Sequence, residues 1–260
     1  MKSLDEIKSA KNREKLVVLT AYDALFARLM EPYADMILVG DSLSMSFGGD
    51  SDTIGITLDE MIYHAKAVRR GAPNAFIIFD MPFGSDYNEE VALRSAIKAY
   101  KEAKVDAVKL EGGADKAHII RALVDNKIAV VAHIGLLPQS VRKDGGYKIK
   151  GKTRESEEAL LMDALTIEAA GAFAVVIEGV KSSVAKRLTK ELSIPTIGIG
   201  AGNTTDGQVL VWSDMLGFFE EFTPKFVRKY GDGARGARTS FESFAKDVKS
   251  GSFPSEAESY

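Results

Sequence analysis

Eight short apolar runs, most of them rich in Val and Ile, recur along the chain at residues 16–20, 36–40, 75–80, 107–111, 128–133, 172–178, 195–200 and 208–212. They are too short for buried helices. Strands covered on both faces read as continuous apolar stretches, so the runs predict a parallel sheet. Stretches with helical spacing lie between them. Thr57-Leu-Asp-Glu60 is a capping box ahead of a helix that Gly71 stops. Residues 88–103 have apolar side chains at helical spacing, with Glu89 and Glu90 in the first turn, where the macrodipole favours anions. Residues 155–170 end at Gly171, and 180–192 end before Pro195. Eight strands separated by helices predict an α/β fold, a (β/α)8 TIM barrel. The expected organisation is a single domain over residues 1–260, with a short N-terminal helix and a C-terminal helical extension, helix-like at residues 240–249. The eighth run is short and closely follows the seventh. On periodicity alone an open doubly wound sheet is the alternative.

Composition narrows the function classes. The 260 residues hold 34 Lys+Arg and 37 Asp+Glu, a formal net charge of −3 that argues against a nucleic-acid partner. There are no cysteines, which excludes a disulfide scaffold, a thiol nucleophile and a zinc–thiolate site. No apolar run approaches the roughly 20 residues of a membrane span. The charged N-terminal stretch lacks the apolar core of a signal peptide. A cytoplasmic protein acting on small molecules, with no membrane partner, is expected.

The informative feature is where the charges sit. In a barrel of this class the chemistry lies where strands end and βα loops begin. Run two ends at Asp41-Ser42, run three at Asp80, run four at Lys109-Leu-Glu111, run five at His133 and run six at Glu178. Lys109 and Glu111 are two apart and share a strand face. Burying an unpaired ion costs several kcal/mol, and one Lys cannot balance Asp41, Asp80, Glu111 and Glu178. Raised pKa values or a cation must make up the difference. Oxygen donors without thiols favour a hard ion, most plausibly Mg2+.

Other residues read as structural. Asp23 is expected to cap a helix and Asp106 the start of run four. His64 and His118 lie on helices, away from the strand ends. Gly198-Ile-Gly200-Ala-Gly202 reads as close backbone packing rather than a dinucleotide cradle. Residues 138–153 form a basic, Gly-containing loop that reads equally as an anion clamp or a solvated flap. The last seven residues are expected to fray.

Several segments resemble the ketopantoate hydroxymethyltransferase family. They are Thr20-Ala-Tyr-Asp23, Val39-Gly-Asp-Ser-Leu43, Asp80-Met-Pro-Phe83, Val108-Lys-Leu-Glu-Gly-Gly113, His133-Ile-Gly-Leu, Pro138-Gln-Ser140, Gly145-Gly-Tyr-Lys148, Glu178-Gly-Val and Ile197-Gly-Ile-Gly-Ala-Gly-Asn203. The resemblance implies transfer of a hydroxymethyl group from 5,10-methylenetetrahydrofolate to 3-methyl-2-oxobutanoate in pantothenate biosynthesis, through a Mg2+-stabilised enolate. By motif, Asp41 and Asp80 hold the Mg2+, with Glu111 in or next to its shell. Asp41, Ser42, Asp80, Lys109 and His133 surround the ketoacid, and Glu178 is the general base. A (β/α)8 barrel and a homodecamer are implied as well. The usual His-Asp after run eight reads Ser213-Asp214 here, and Leu-Thr-Pro after the histidine reads Leu136-Leu137-Pro138. The alternatives are a Mg2+-dependent C–C lyase acting on a 2-oxo acid, which typically carries a loop Cys, and a non-catalytic barrel, which predicts neutral strand ends.

Overall fold

The computed structural model describes residues 2–220 and 222–260. Eight strands, β1 (Leu16–Thr20), β2 (Met36–Val39), β3 (Ile77–Asp80), β4 (Ala107–Glu111), β5 (Val130–Gly135), β6 (Ala174–Glu178), β7 (Thr196–Ile199) and β8 (Gly207–Leu210), close into a parallel barrel in sequence order. The helices are α1 (Leu4–Ser9), α2 (Ala24–Met30), α3 (Leu43–Ser46), α4 (Leu58–Gly71), α5 (Glu89–Ala103), α6 (Ala117–Asp125), α7 (Val141–Asp144), α8 (Arg154–Ala170), α9 (Ser182–Glu191), α10 (Trp212–Met215) and α11 (Gly233–Ser250). The chain divides into two compact units, Met1–Val211 with the whole barrel and Trp212–Tyr260 with the last two helices.

The helix starts follow their capping chemistry. Thr57 and Glu60 form the reciprocal box that opens α4. The Asn88 side chain accepts from the Val91 N–H at the start of α5, and Asp23 accepts from Leu25 and Phe26 at the start of α2. Gly171 ends α8 in the left-handed region, at φ +103°.

The barrel interior is apolar. Leu16, Val18, Met36, Leu38, Ile78, Val131, Val176, Ile197 and Val209 belong to one buried cluster. Ile7 of α1 is completely buried in the same cluster. A knot of polar bonds holds this end. Asp206 accepts from Lys11 Nζ (2.8 Å), from the backbone N–H of Asn12 (3.1 Å) and from both the N–H and the hydroxyl of Thr196 (2.9 Å each).

β8 closes the ring despite its weak pattern. It pairs with β1 from Leu16↔Gly207 to Leu19↔Leu210 and with β7 through Ile197↔Gly207 and Gly198↔Gln208. Trp212, expected at the end of that run, instead opens α10, because the pairing stops at Leu210.

Three other expectations need correction. The Asp106 carboxylate does not cap β4. It binds Arg69 (2.5 Å) and the Ile77 N–H (2.8 Å), fixing the start of β3. The C-terminal helix begins at Gly233, well before the expected residue 240. The final residues carry a 3-10 turn, Glu256–Glu258, with its own capping box. Among the described residues no helix is long and apolar enough to cross a membrane.

Candidate active site

Strand alternation sends Val108 and Leu110 outward, fully buried against the helices, and leaves Lys109 and Glu111 on the inner face. The register then sets their neighbours. Asp80 pairs with Lys109, Glu111 with His133 and Gly135 with Glu178. Six expected residues therefore meet at the C-terminal end of the barrel. Lys109 Nζ lies 2.6 Å from Asp80 Oδ1 and 3.2 Å from His133 Nδ1. His133 reaches Glu111 through Nδ1 (3.5 Å) and Glu178 through Nε2 (3.3 Å). The backbone N–H of Asp41 points at Asp80 Oδ2 (3.4 Å). Ser42, the seventh, opens α3, and its Oγ lies 2.9 Å from the hydroxyl of Tyr22.

Asp41, Asp80, Lys109, Glu111 and His133 are all buried, whereas the Glu178 side chain is 19% exposed. Burial pushes the Asp41 carboxyl well up, and the charges of Asp80 and Glu111 add to the effect. Burial also raises Asp80, against the pull of Lys109. Burial would raise Glu111, but hydrogen bonding to His133 and attraction to His133 and Lys109 bring it below the usual range. Burial and Lys109 both act to lower His133, yet its bonds to Glu111 and Glu178 push it up to about 9. Lys109 is likewise raised, because Asp80, Glu111 and Asp41 outweigh its burial.

With every group ionised, four carboxylates face one ammonium and one imidazolium, leaving two negative charges uncompensated. That deficit equals one dication. Among the described residues, however, no three His, Asp or Glu side chains form a ready-made cage. Glu111 shows why. Its Oε2 accepts the Gln139 N–H (3.0 Å), and its Oε1 faces His133. Asp41 and Asp80 are each engaged at one oxygen, by Gln139 Nε2 (2.9 Å) and Lys109 Nζ (2.6 Å), and such a pair suits an ion that takes one or two carboxylates and otherwise keeps water or substrate oxygens.

A profile described as ketopantoate hydroxymethyltransferase matches residues 1–256. The chain belongs to the ketopantoate hydroxymethyltransferase family. Proteins named 3-methyl-2-oxobutanoate hydroxymethyltransferase from Aliarcobacter butzleri and from a Nitratiruptor species are 58% and 59% identical to it over 258 residues. These matches span 99% of this chain and 96% and 98% of theirs. Ketopantoate hydroxymethyltransferases are enzymes, and this family member is one. A solved 2,3-dimethylmalate lyase, of the PEP mutase/isocitrate lyase superfamily, superposes with a TM-score of 0.65 at 17% identity, over 95% of this chain and 89% of that one. A phosphonopyruvate hydrolase in complex with oxalate and Mg++ gives 0.62 at 14% identity, over 99% and 93%. At such identity the likeness is one of fold.

Two further residues of this cluster escaped sequence reasoning. Tyr22 is completely buried and supports Ser42. Gln139 donates through Nε2 to Asp41 Oδ2 and to the Met81 carbonyl, both at 2.9 Å. Both lie in motifs shared with the family, but neither carries a charge that marks it. His64 proves structural, its Nδ1 lying 2.6 Å from the Tyr22 carbonyl oxygen. His118 is exposed. In the basic loop, Arg142 pairs with Asp52 (3.0 Å) and Lys150 with Asp144 (2.5 Å).

Proposed function

We propose that the chain hydroxymethylates 3-methyl-2-oxobutanoate to 2-dehydropantoate, the carbon coming from 5,10-methylenetetrahydrofolate, the hydroxyl from water and tetrahydrofolate leaving, with Glu178 as general base. The observation that carries this reading is the contrast within the acidic set. Asp41 and Asp80 are buried with one ammonium, Lys109, bound to Asp80, while Glu178 is partly open and rests 3.3 Å from His133. A divalent cation such as Mg2+, held by Asp41 and Asp80, would supply a Lewis acid that makes the ketoacid's C3 proton easier to remove.

The chain's own groups do the rest. Lys109 is held cationic by Asp80 and offers fixed positive charge to the substrate carboxylate. The Ser42 hydroxyl, oriented by Tyr22, contacts the ketoacid. His133, charged below about 9, keeps the Glu178 carboxylate in place and stabilises developing negative charge. Glu178 takes the C3 proton. A free carboxylate near pKa 4.3 is a weak base for such a proton, and each unit of mismatch removed lowers the barrier by at most about 1.4 kcal/mol. Most of the help must therefore come from polarising the substrate. Glu111, already bonded to Gln139 and His133, fits a place beside the cation's inner shell better than within it.

Incubation with Mg2+, 3-methyl-2-oxobutanoate and methylenetetrahydrofolate tests the reading. Formation of 2-dehydropantoate, dependent on all three, is expected. Absence of product, or cleavage of a different 2-oxo acid instead, contradicts it.

A further inference from the structure

We infer that Gln139 is a positioning residue, its side-chain amide holding the Asp41 carboxylate in the orientation the cation site needs and tying the segment after β5 to that site. The inference rests on the reading of Asp41 and Asp80 as the cation holders.

The geometry is specific. Gln139 lies in the 3-10 turn Pro138–Ser140, just beyond β5, and it touches the elements that follow three other strands. Its Nε2 donates to Asp41 Oδ2, beyond β2, and to the carbonyl of Met81, beyond β3. Its backbone N–H donates to Glu111 Oε2, at the end of β4. Both side-chain partners are acceptors, so the amide nitrogen must face them. The reverse orientation would set an amide oxygen against a carboxylate and a carbonyl.

The electrostatics give these bonds their purpose. The Asp41 carboxylate is buried, and a neutral N–H donor bonds it without competing for a cation. With Oδ2 engaged by Gln139, Oδ1 lies outside that bond. A Glu here would place another carboxylate against Asp41. A Leu or Met would leave Asp41 Oδ2 and the Met81 carbonyl without their donor. Partners that orient a metal-holding carboxylate commonly change metal affinity 10–100-fold when removed.

The test is Gln139→Met, close in shape but without the amide, with Gln139→Ala as a second variant that cannot overfill the site. Mn2+ binding is titrated by electron paramagnetic resonance on folded protein, alongside thermal melting. The backbone bond to Glu111 persists in both variants, so melting is expected to shift by no more than about 4 °C. Mn2+ affinity is expected to fall by about tenfold or more in both. A purely structural role would move the melting temperature and leave affinity alone. Affinity within about twofold of the parent in either folded variant overturns the positioning role. A parent that binds no Mn2+ overturns the cation-site reading itself, and the inference with it.

Discussion

Asp41 is 4% exposed and faces Asp80 and Glu111, with the Gln139 amide as its hydrogen-bond donor. Without a cation its charge opposes folding near neutral pH, because its pKa lies above the unfolded value. Asp41→Asn keeps the shape and removes the charge. In chelator-treated protein this variant is expected to be more stable than the parent by about 1–2 kcal/mol, and to have lost most of its affinity for divalent ions. Chemical denaturation with and without chelator checks both halves. A variant less stable than the chelated parent would show that Asp41 is not strained by its neighbours. The same scale explains what the sequence revealed of the site. Asp41, Asp80, Lys109, Glu111, His133 and Glu178 were legible because charged side chains at the ends of apolar runs are expensive to bury unless they have work to do. Gln139 and Tyr22 are uncharged and stand on loops, so no pattern of strand ends could mark them. Their importance appears only with the distances.

The strands were legible as elements, though not in their limits. The runs expected at 75–80, 128–133 and 172–178 begin two residues before the strands do. Phe76, Ile128 and Phe173 account for this. They are buried, and Phe76 and Phe173 pack edge to face at 6.0 Å beneath the strands. An apolar run reports burial, whereas the strand limits follow the register: Phe76 and Phe173 each make one backbone bond to a neighbouring strand (Ile37 N–H to the Phe76 carbonyl and Phe173 N–H to the Val130 carbonyl, 2.9 Å each), but the paired register starts only at Ile77 and Ala174. Polar fastening between elements is harder still to read, and Asp206 is the main example. Burial acts to raise its pKa, but bonds from Lys11, Thr196 and Asn12 bring it below the usual carboxylate value. A lowered value means stability that is present above the unfolded pKa of about 3.9 and is lost as pH falls through the folded value. Asp206→Asn is therefore expected to destabilise the barrel unit by about 2–3 kcal/mol near neutral pH. The difference from the parent should begin to shrink below about pH 4, as the unfolded parent protonates, and vanish only below the lowered folded pKa, where both carry a neutral side chain. Urea titrations at several pH values measure it. A constant difference across that range would exclude the charge as its source.

At the scale of the whole barrel, closure depends on the strand that the sequence marked least clearly. Gly207 pairs with both Leu16 and Ile197. A Cβ on it would lie 2.6 Å from the Leu16 carbonyl oxygen and from Ile197 Cδ1. The first is backbone of the neighbouring strand and cannot turn aside. The residue that lets the ring close is thus one that adds nothing to an apolar pattern, which is why the eighth run read as weak. Gly207→Val is expected to cost about 3 kcal/mol or more, seen as a lower denaturation midpoint or loss of soluble protein. A midpoint unchanged from the parent would show that β8 is not held this closely. The closed ring also makes the chemistry possible, since it brings acids from β3, β4 and β6 and from the loop after β2 to one mouth. The most direct test is exchange of the C3 proton of 3-methyl-2-oxobutanoate into deuterated water, followed by NMR with Mg2+ present and the folate absent. The parent should exchange it, while Glu178→Gln should bind Mn2+ and the ketoacid normally and show no exchange above background. Exchange at the parent's rate in Glu178→Gln would contradict the account.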